Sequence, residues 1–402
     1  MLNQTIISLV YFLFLIFPLG QLTRINLGFP EVGFYWQDIL IVLIIFFWIL
    51  QKIKNKQSAM AGNFSKKILG FFSIGGFSLL LNSSVFNLRE ILIANLYLFR
   101  WLFYLLLYFV VKDFSKNEQK KMIKFLIFSI VASVVAGFLQ YFFWPDFRSM
   151  EIYGWDPHYF RLVGLWFDPG FTSMIYVLFL IFILFYFKSK KSIFYFLFFS
   201  VYIAFSLTYA RSSYLAFVVA LLLFVRQKKE IKFFLLTILL IIFTFFVLPR
   251  PEGSEGVKLE RTATIFSRIE NWRQTITIGL KKPIFGFGFN TYRYVQRKYG
   301  FLETDWQSSH SGAGADASLL FVFSTTGVVG LLAFLNLVVS IIKESLKAIK
   351  NNKSFKMNQI LFISLMSLLI HSVFNNSLFF PWIILWLGVL MGLAESEVKE
   401  YS

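Results

Sequence analysis

Cysteine is absent from the 402 residues, which excludes disulfides and thiolate metal sites and leaves the compartment open. No cluster of carboxylates or histidines has metal-ligand spacing, so neither a catalytic metal nor a cofactor is expected. No basic stretch precedes the apolar run 5–19 and no A-x-A-like site follows it, so that run reads as a membrane helix and not as a removable leader. Basic residues are plentiful, with a formal charge of +18. They form no patch of the kind nucleic acid needs, but lie in short runs between apolar blocks, as membrane loops do.

Apolar sequence dominates. The chain is 57% hydrophobic with a mean hydropathy of +0.68, where a soluble domain has about 45–50% apolar residues. The excess falls in blocks of about 16–24 residues, the length that crosses a bilayer as a helix. Hydropathy places helices at 4–20, 37–51, 68–83, 90–111, 122–143, 169–187, 192–209, 212–226, 232–249, 316–342, 358–375 and 380–394. The expected fold is an all-α integral membrane protein of about twelve transmembrane helices, with nine in residues 1–249 and three in 316–402. Between them, 250–315 forms one large extracytoplasmic loop. Lysine-rich loops follow every second helix (Lys52 to Lys67, Lys112 to Lys124, Lys188 to Lys191, Arg226 to Lys232, Lys343 to Lys356). This places those loops and both termini on the cytoplasmic side of the cytoplasmic membrane.

The opposite side differs in the kind of cation. Its short loops and helix ends carry Arg24, Arg89, Arg100, Arg148, Arg161 and Arg211, and no lysine. A guanidinium is a planar fork that grips phosphate in two places, so an outward-facing phosphate ligand fits this bias. Arg100 lies within an apolar run, where a structural pair with Glu90 is expected. In the long loop, Ile265, Phe266, Ile269, Trp272, Ile276 and Leu280 share one helical stripe, closed by Lys281, Lys282 and Pro283. They read as an amphipathic helix on the membrane surface or on the bundle. Ser267 with Glu270 fits a capping box that would start this helix late, whereas an early start would set Arg261 and Arg268 on one edge.

Four stretches carry a family resemblance: Arg161-Leu-Val-Gly-Leu-Trp-Phe-Asp-Pro169; Leu207-Thr-Tyr-Ala-Arg-Ser212; Arg268 through Trp272 followed by Pro283-Ile-Phe-Gly-Phe-Gly288; and Leu319 through Gly330, with Thr326-Gly-Val-Val-Gly. In that order, over roughly 160–340, the chain resembles the O-antigen ligase and O-antigen polymerase-like membrane glycosyltransferases. The resemblance implies metal-independent transfer or polymerisation of a glycan. The donor would be linked to undecaprenyl diphosphate, and the acceptor would be a glycan or lipid hydroxyl at the outer membrane face. It implies Arg161, Arg211 and Arg268 as diphosphate ligands. Where many members carry histidine followed by asparagine, this chain has Asp316 and Ala317, so the implied base is His310 or Asp316.

Each assignment has a purely structural counterpart. Arg211 also reads as a helix cap or a lipid-phosphate anchor, Arg161 as a headgroup anchor, and Arg268 as a solvated flank. His310 also reads as an ordinary loop histidine and Asp316 as a helix cap. Two other functions compete with transfer. One is a twelve-helix transporter, although no internal repeat relates the two halves; the other is a non-catalytic binder of lipid-linked glycans.

Overall fold

Every apolar block forms a helix. The computed structural model describes residues 2–28, 32–58, 60, 62–187, 190–302, 314–352 and 355–399. Nine helices come first: α1 (Leu2–Ile16), α2 (Trp36–Lys54), α3 (Ser65–Leu81), α4 (Leu88–Val111), α5 (Lys116–Phe143), α6 (Pro169–Tyr186), α7 (Lys191–Ser206), α8 (Arg211–Lys228) and α9 (Ile231–Val247). Within the long loop lie α10 (Ala263–Lys281) and the short α11 (Tyr292–Lys298). The chain closes with α12 (Ser318–Asn351), α13 (Lys356–His371) and α14 (Pro381–Lys399). The described strands are β1 (Arg24–Ile25) and β2 (Phe34–Tyr35), a small antiparallel hairpin.

The protein is an all-α membrane protein. Among the described residues, seven helices are long and apolar enough to cross a bilayer: α1 with the 3-10 turn after it, α2, α4, α5, α6, α12 and α14. The apolar helices α7, α9 and α13 are shorter. Helices α6 and α14 are buried nearly all round, as expected for helices with no polar face. Helix α9 buries only Thr237 and Ile241. It leaves Leu235, Leu236, Leu239, Phe243 and Phe246 exposed, a surface suited to lipid.

Chain direction alternates, so the starts of α6, α8, α12 and α14 meet the ends of α5, α7 and α13 at one end of the bundle. Lysines at the ends of α2, α4 and α14 lie at the other end, where Lys52 pairs with Asp113 at 2.8 Å and Lys112 with Glu395 at 3.7 Å. A charge pair inside the bundle differs from expectation. Arg100 binds Asp38 through Nε at 2.8 Å and Nη2 at 2.7 Å, while Glu90 caps α4 with Asn87. Glu90 sits on the first turn of its own helix and is occupied there. Asp38, from α2, brings a buried carboxylate to the buried guanidinium.

Helix α12 is broken at Gly327, where φ is 67°. The break leaves backbone groups without helical partners, a costly state inside a bilayer. The Pro283–Gly288 stretch takes them up. Phe287 and Gly288 N–H donate to the Ser324 and Thr325 carbonyls at 3.3 and 2.7 Å. Val328 and Val329 N–H donate to the Pro283 and Ile284 carbonyls at 2.8 and 3.2 Å. A Cβ on Gly327 would lie 2.2 Å from the Ile284 oxygen, and one on Gly286 would lie 2.5 Å from the Thr325 oxygen. The two glycine motifs are therefore the two sides of one backbone joint. Ser78 of α3 braces it by donating to the Thr325 carbonyl at 3.1 Å and to the Phe285 carbonyl.

Candidate functional site: an arginine-lined cavity

The start of α6 is shaped by the residues before it. Gln140, at the end of α5, accepts from the N–H groups of Val163 and Gly164 at 2.9 and 3.2 Å. Leu162 N–H donates to the Leu207 carbonyl at 2.9 Å. Asp168 then caps α6 by accepting from Phe171 N–H at 2.7 Å, with Pro169 in the first turn. This framework holds Arg161 against the turn before α8, where its Nε donates to the Thr208 carbonyl at 2.9 Å.

Arg211 opens α8 and reaches across to the long loop. Its Nη1 donates to the Leu259 and Arg261 carbonyls at 3.1 and 2.7 Å, and its Nη2 to the Thr264 hydroxyl at 2.6 Å. Arg261 donates to the Gly256, Lys258 and Tyr209 carbonyls. Arg268, one turn after Thr264 in α10, donates to the Asn375 side-chain oxygen at 2.9 Å. It also lies over the Phe374 ring at 5.8 Å from its centroid.

Arg161, Arg211, Arg261 and Arg268 line one cavity of about 190 Å³ together with Asp156, His158 and Asp168. Among the described residues, no carboxylate lies within ion-pair distance of any of the four guanidiniums. All their observed hydrogen-bond acceptors are neutral. Burial lowers Arg161 to about 9, with Arg261 adding repulsion and Asp168 and Asp156 opposing it. Burial lowers Arg261 to about 10, helped by Arg211 and Arg268. Arg268 is also lowered, by burial first and by Arg211, with Asp316 and Asp168 opposing. Crowded, partly buried cations of this kind are relieved by an anion, and the helix starts at Pro169 and Arg211 add their positive dipole ends.

A second cavity of about 540 Å³ shares Asp156, Asp168, Thr264, Arg268 and Asn375 with the first. It also holds Asp316 and an aromatic wall that includes Trp155, Trp166, Phe171 and Phe380. Phe171 and Phe380 stack at 4.1 Å between centroids. Burial pushes the Asp316 carboxyl up to about 6, although Arg268 pulls the other way. Asp316 does not cap α12: the cap position is Ala317, which makes no side-chain cap bond. The Asp316 N–H donates to the Asn271 side chain at 2.9 Å.

The three expected arginines thus share one cavity, and Asp316 borders the neighbouring one. His310 lies outside the described residues. The capping box at Ser267 does not form. Helix α10 starts at Ala263, Ser267 donates to the Ala263 carbonyl at 3.1 Å, and Arg261 precedes the helix instead of sharing its edge. Most of the apolar stripe faces outward, with Ile265, Phe266, Ile269, Ile276 and Leu280 exposed, while Trp272 is half-buried against Phe374. The opposite face packs inward, and a Cβ on Gly279 would meet the Phe323 ring at 2.4 Å. Sequence reasoning gave no role to His158 or Asn375. Each is a single polar residue in a short connection, with no spacing to mark it.

Residues 195–335 match the family model Wzy_C, described as O-antigen ligase. No curated protein matches the chain. The matched stretch contains Arg211, Arg261, Arg268, Asp316 and the joint at Gly327, while Arg161, His158 and Asn375 lie outside it.

Proposed function

From this O-antigen ligase-like match and the cavity it overlaps, we propose that the protein transfers or polymerises a glycan. The donor is linked to undecaprenyl diphosphate, and the acceptor is a glycan or lipid hydroxyl. One observation carries the reading: four guanidiniums, Arg161 buried and Arg211, Arg261 and Arg268 half-buried, converge on one cavity with no carboxylate within ion-pair distance among the described residues. A diphosphate supplies the missing negative charge. When the glycosyl bond breaks, further charge develops on the departing oxygen, and preplaced cations in a partly dry site stabilise it without reorganising. In this reading the guanidiniums carry that task without a metal ion.

Asp316 is the proposed base for the acceptor hydroxyl, with His310 its alternative. The aromatic wall beside Asp316 suits the faces of a sugar. The lysines of the loops at the opposite end of the bundle support an orientation with this cavity at the outer face of the cytoplasmic membrane and both termini inside. The outward stripe of α10 then lies in the lipid interface. A broken helix is also a feature of transporters. Here the groups freed at the break bond to the Pro283–Gly288 backbone, which favours a structural joint over a solute site.

The test is glycan transfer in membranes carrying Arg211→Ala or Arg268→Ala. Each should lose about 100-fold or more in rate, as for removal of one preplaced donor to a developing oxyanion, with membrane expression unchanged. Full transfer by both variants would reject the reading.

A further inference from the structure

His158 has a cavity position but no bonding task. Its backbone carbonyl accepts from Phe147 N–H at 2.8 Å, which fixes the loop. The residue is among those lining the arginine cavity. The ring Nε2 is buried and has no hydrogen-bond partner among the described residues. A buried donor or acceptor left unpaired is costly, so the nitrogen is suited to a ligand atom.

The charges around the imidazole come from several elements. Its own loop supplies Asp156 and Arg161, the start of α6 supplies Asp168, and α8 supplies Arg211. The long loop supplies Arg261, and α10 supplies Arg268. Cations outnumber carboxylates, and burial together with Arg161 and Arg261 keeps the imidazole neutral in the empty cavity. A bound diphosphate diester adds two negative charges and reverses that balance.

We propose that His158 is a catalytic proton carrier for the leaving group. It takes a proton from water when the donor's diphosphate fills the arginine cavity, and passes it to the phosphate oxygen released from the sugar. The proposal rests on the glycan-transfer reading. The anomeric carbon–oxygen bond to the diphosphate breaks with its electron pair on the departing oxygen. A new bond forms from that carbon to the acceptor oxygen. The acceptor's proton goes to the base at the second cavity, and the departing oxygen receives the proton of His158. Both groups then return to their resting states by exchange with water. The histidine is an acid only while donor is bound, so the empty site does not carry a fifth cation.

The test uses the full chain in lipid nanodiscs and P1,P2-dimethyl diphosphate, whose two charges are constant across neutral pH. Binding is followed by calorimetry from pH 6 to pH 8 in buffers of different protonation enthalpy. The ratio of wild-type to His158→Gln affinity should grow from about 1 at pH 8 to about 5–10 at pH 6, because a protonated imidazole adds attraction only at the lower pH. Titration of Asp316 acts on both proteins and cancels in that ratio. A ratio that does not change with pH overturns the proposal. So does binding by the wild type with no proton uptake, a result that needs no variant. Failure of the wild type to bind the probe would instead remove the diphosphate reading itself. Arg211→Ala should weaken binding at every pH and keep the trend.

Discussion

Asn375 offers a sharp test of why the arginine cavity lacks close counter-charge. Its side-chain oxygen accepts from Arg268 Nη2 at 2.9 Å, and its position borders both cavities. Asn375→Asp keeps the shape and the acceptor but adds a negative charge. Taking that charge as about 6 Å from a bound phosphate, with an effective dielectric of about 20, the repulsion is about 3 kcal/mol, or about 100-fold in affinity. Asn375→Ala removes one hydrogen bond yet leaves Arg268 charged, for a loss of about 1 kcal/mol, or about 5-fold. Calorimetry with P1,P2-dimethyl diphosphate should therefore rank wild type above Asn375→Ala and both above Asn375→Asp. Thermal unfolding should give a different order, with Asn375→Asp no less stable than Asn375→Ala, because Arg268 gains a partner. A purely structural asparagine predicts that the isosteric variant is the milder one. If Asn375→Asp binds the probe as tightly as Asn375→Ala or better, the electrostatic argument is wrong.

The Asp316 carboxyl, raised to about 6 by burial, must be ionised to act as a base. The transfer rate should rise with pH through a limb centred near 6, Asp316→Asn should lose transfer, and a rate flat from pH 5 to pH 7 removes Asp316 from the role. The linked stability effect has a definite sign. The native state holds this proton more tightly than the unfolded chain, so ionisation costs stability as pH climbs from about 4 through about 6. Asp316→Asn should melt above the wild type at pH 8, with the difference vanishing near pH 4. Gly327→Ala meets both a φ of 67° and a backbone oxygen 2.2 Å from the new Cβ. It should cost about 3 kcal/mol or more. Gly28→Ala, at φ 78° with nothing within 4 Å, should cost about 1–2 kcal/mol from backbone conformation alone. Equal melting temperatures for these two variants in detergent would refute the joint.

The amino-acid order alone determined the helices, because a run of about twenty apolar residues has few alternatives in a bilayer. The lysine and arginine asymmetry and the Arg161, Arg211 and Arg268 motifs were equally legible, since residue type and loop position are local properties. Other features were decided only by the tertiary structure. Arg100 took Asp38 and not Glu90, because the buried carboxylate arrives from α2, far away in sequence. The stripe of α10 turned outward, because periodicity marks a face without naming what covers it. Gly286 and Gly327 proved to be one joint, which depends on two distant segments exchanging backbone hydrogen bonds. Arg261, His158 and Asn375 joined the arginine cavity from separate connections. Convergence of this kind is set by how helices pack and where their ends meet, and a linear spacing rule carries no record of it.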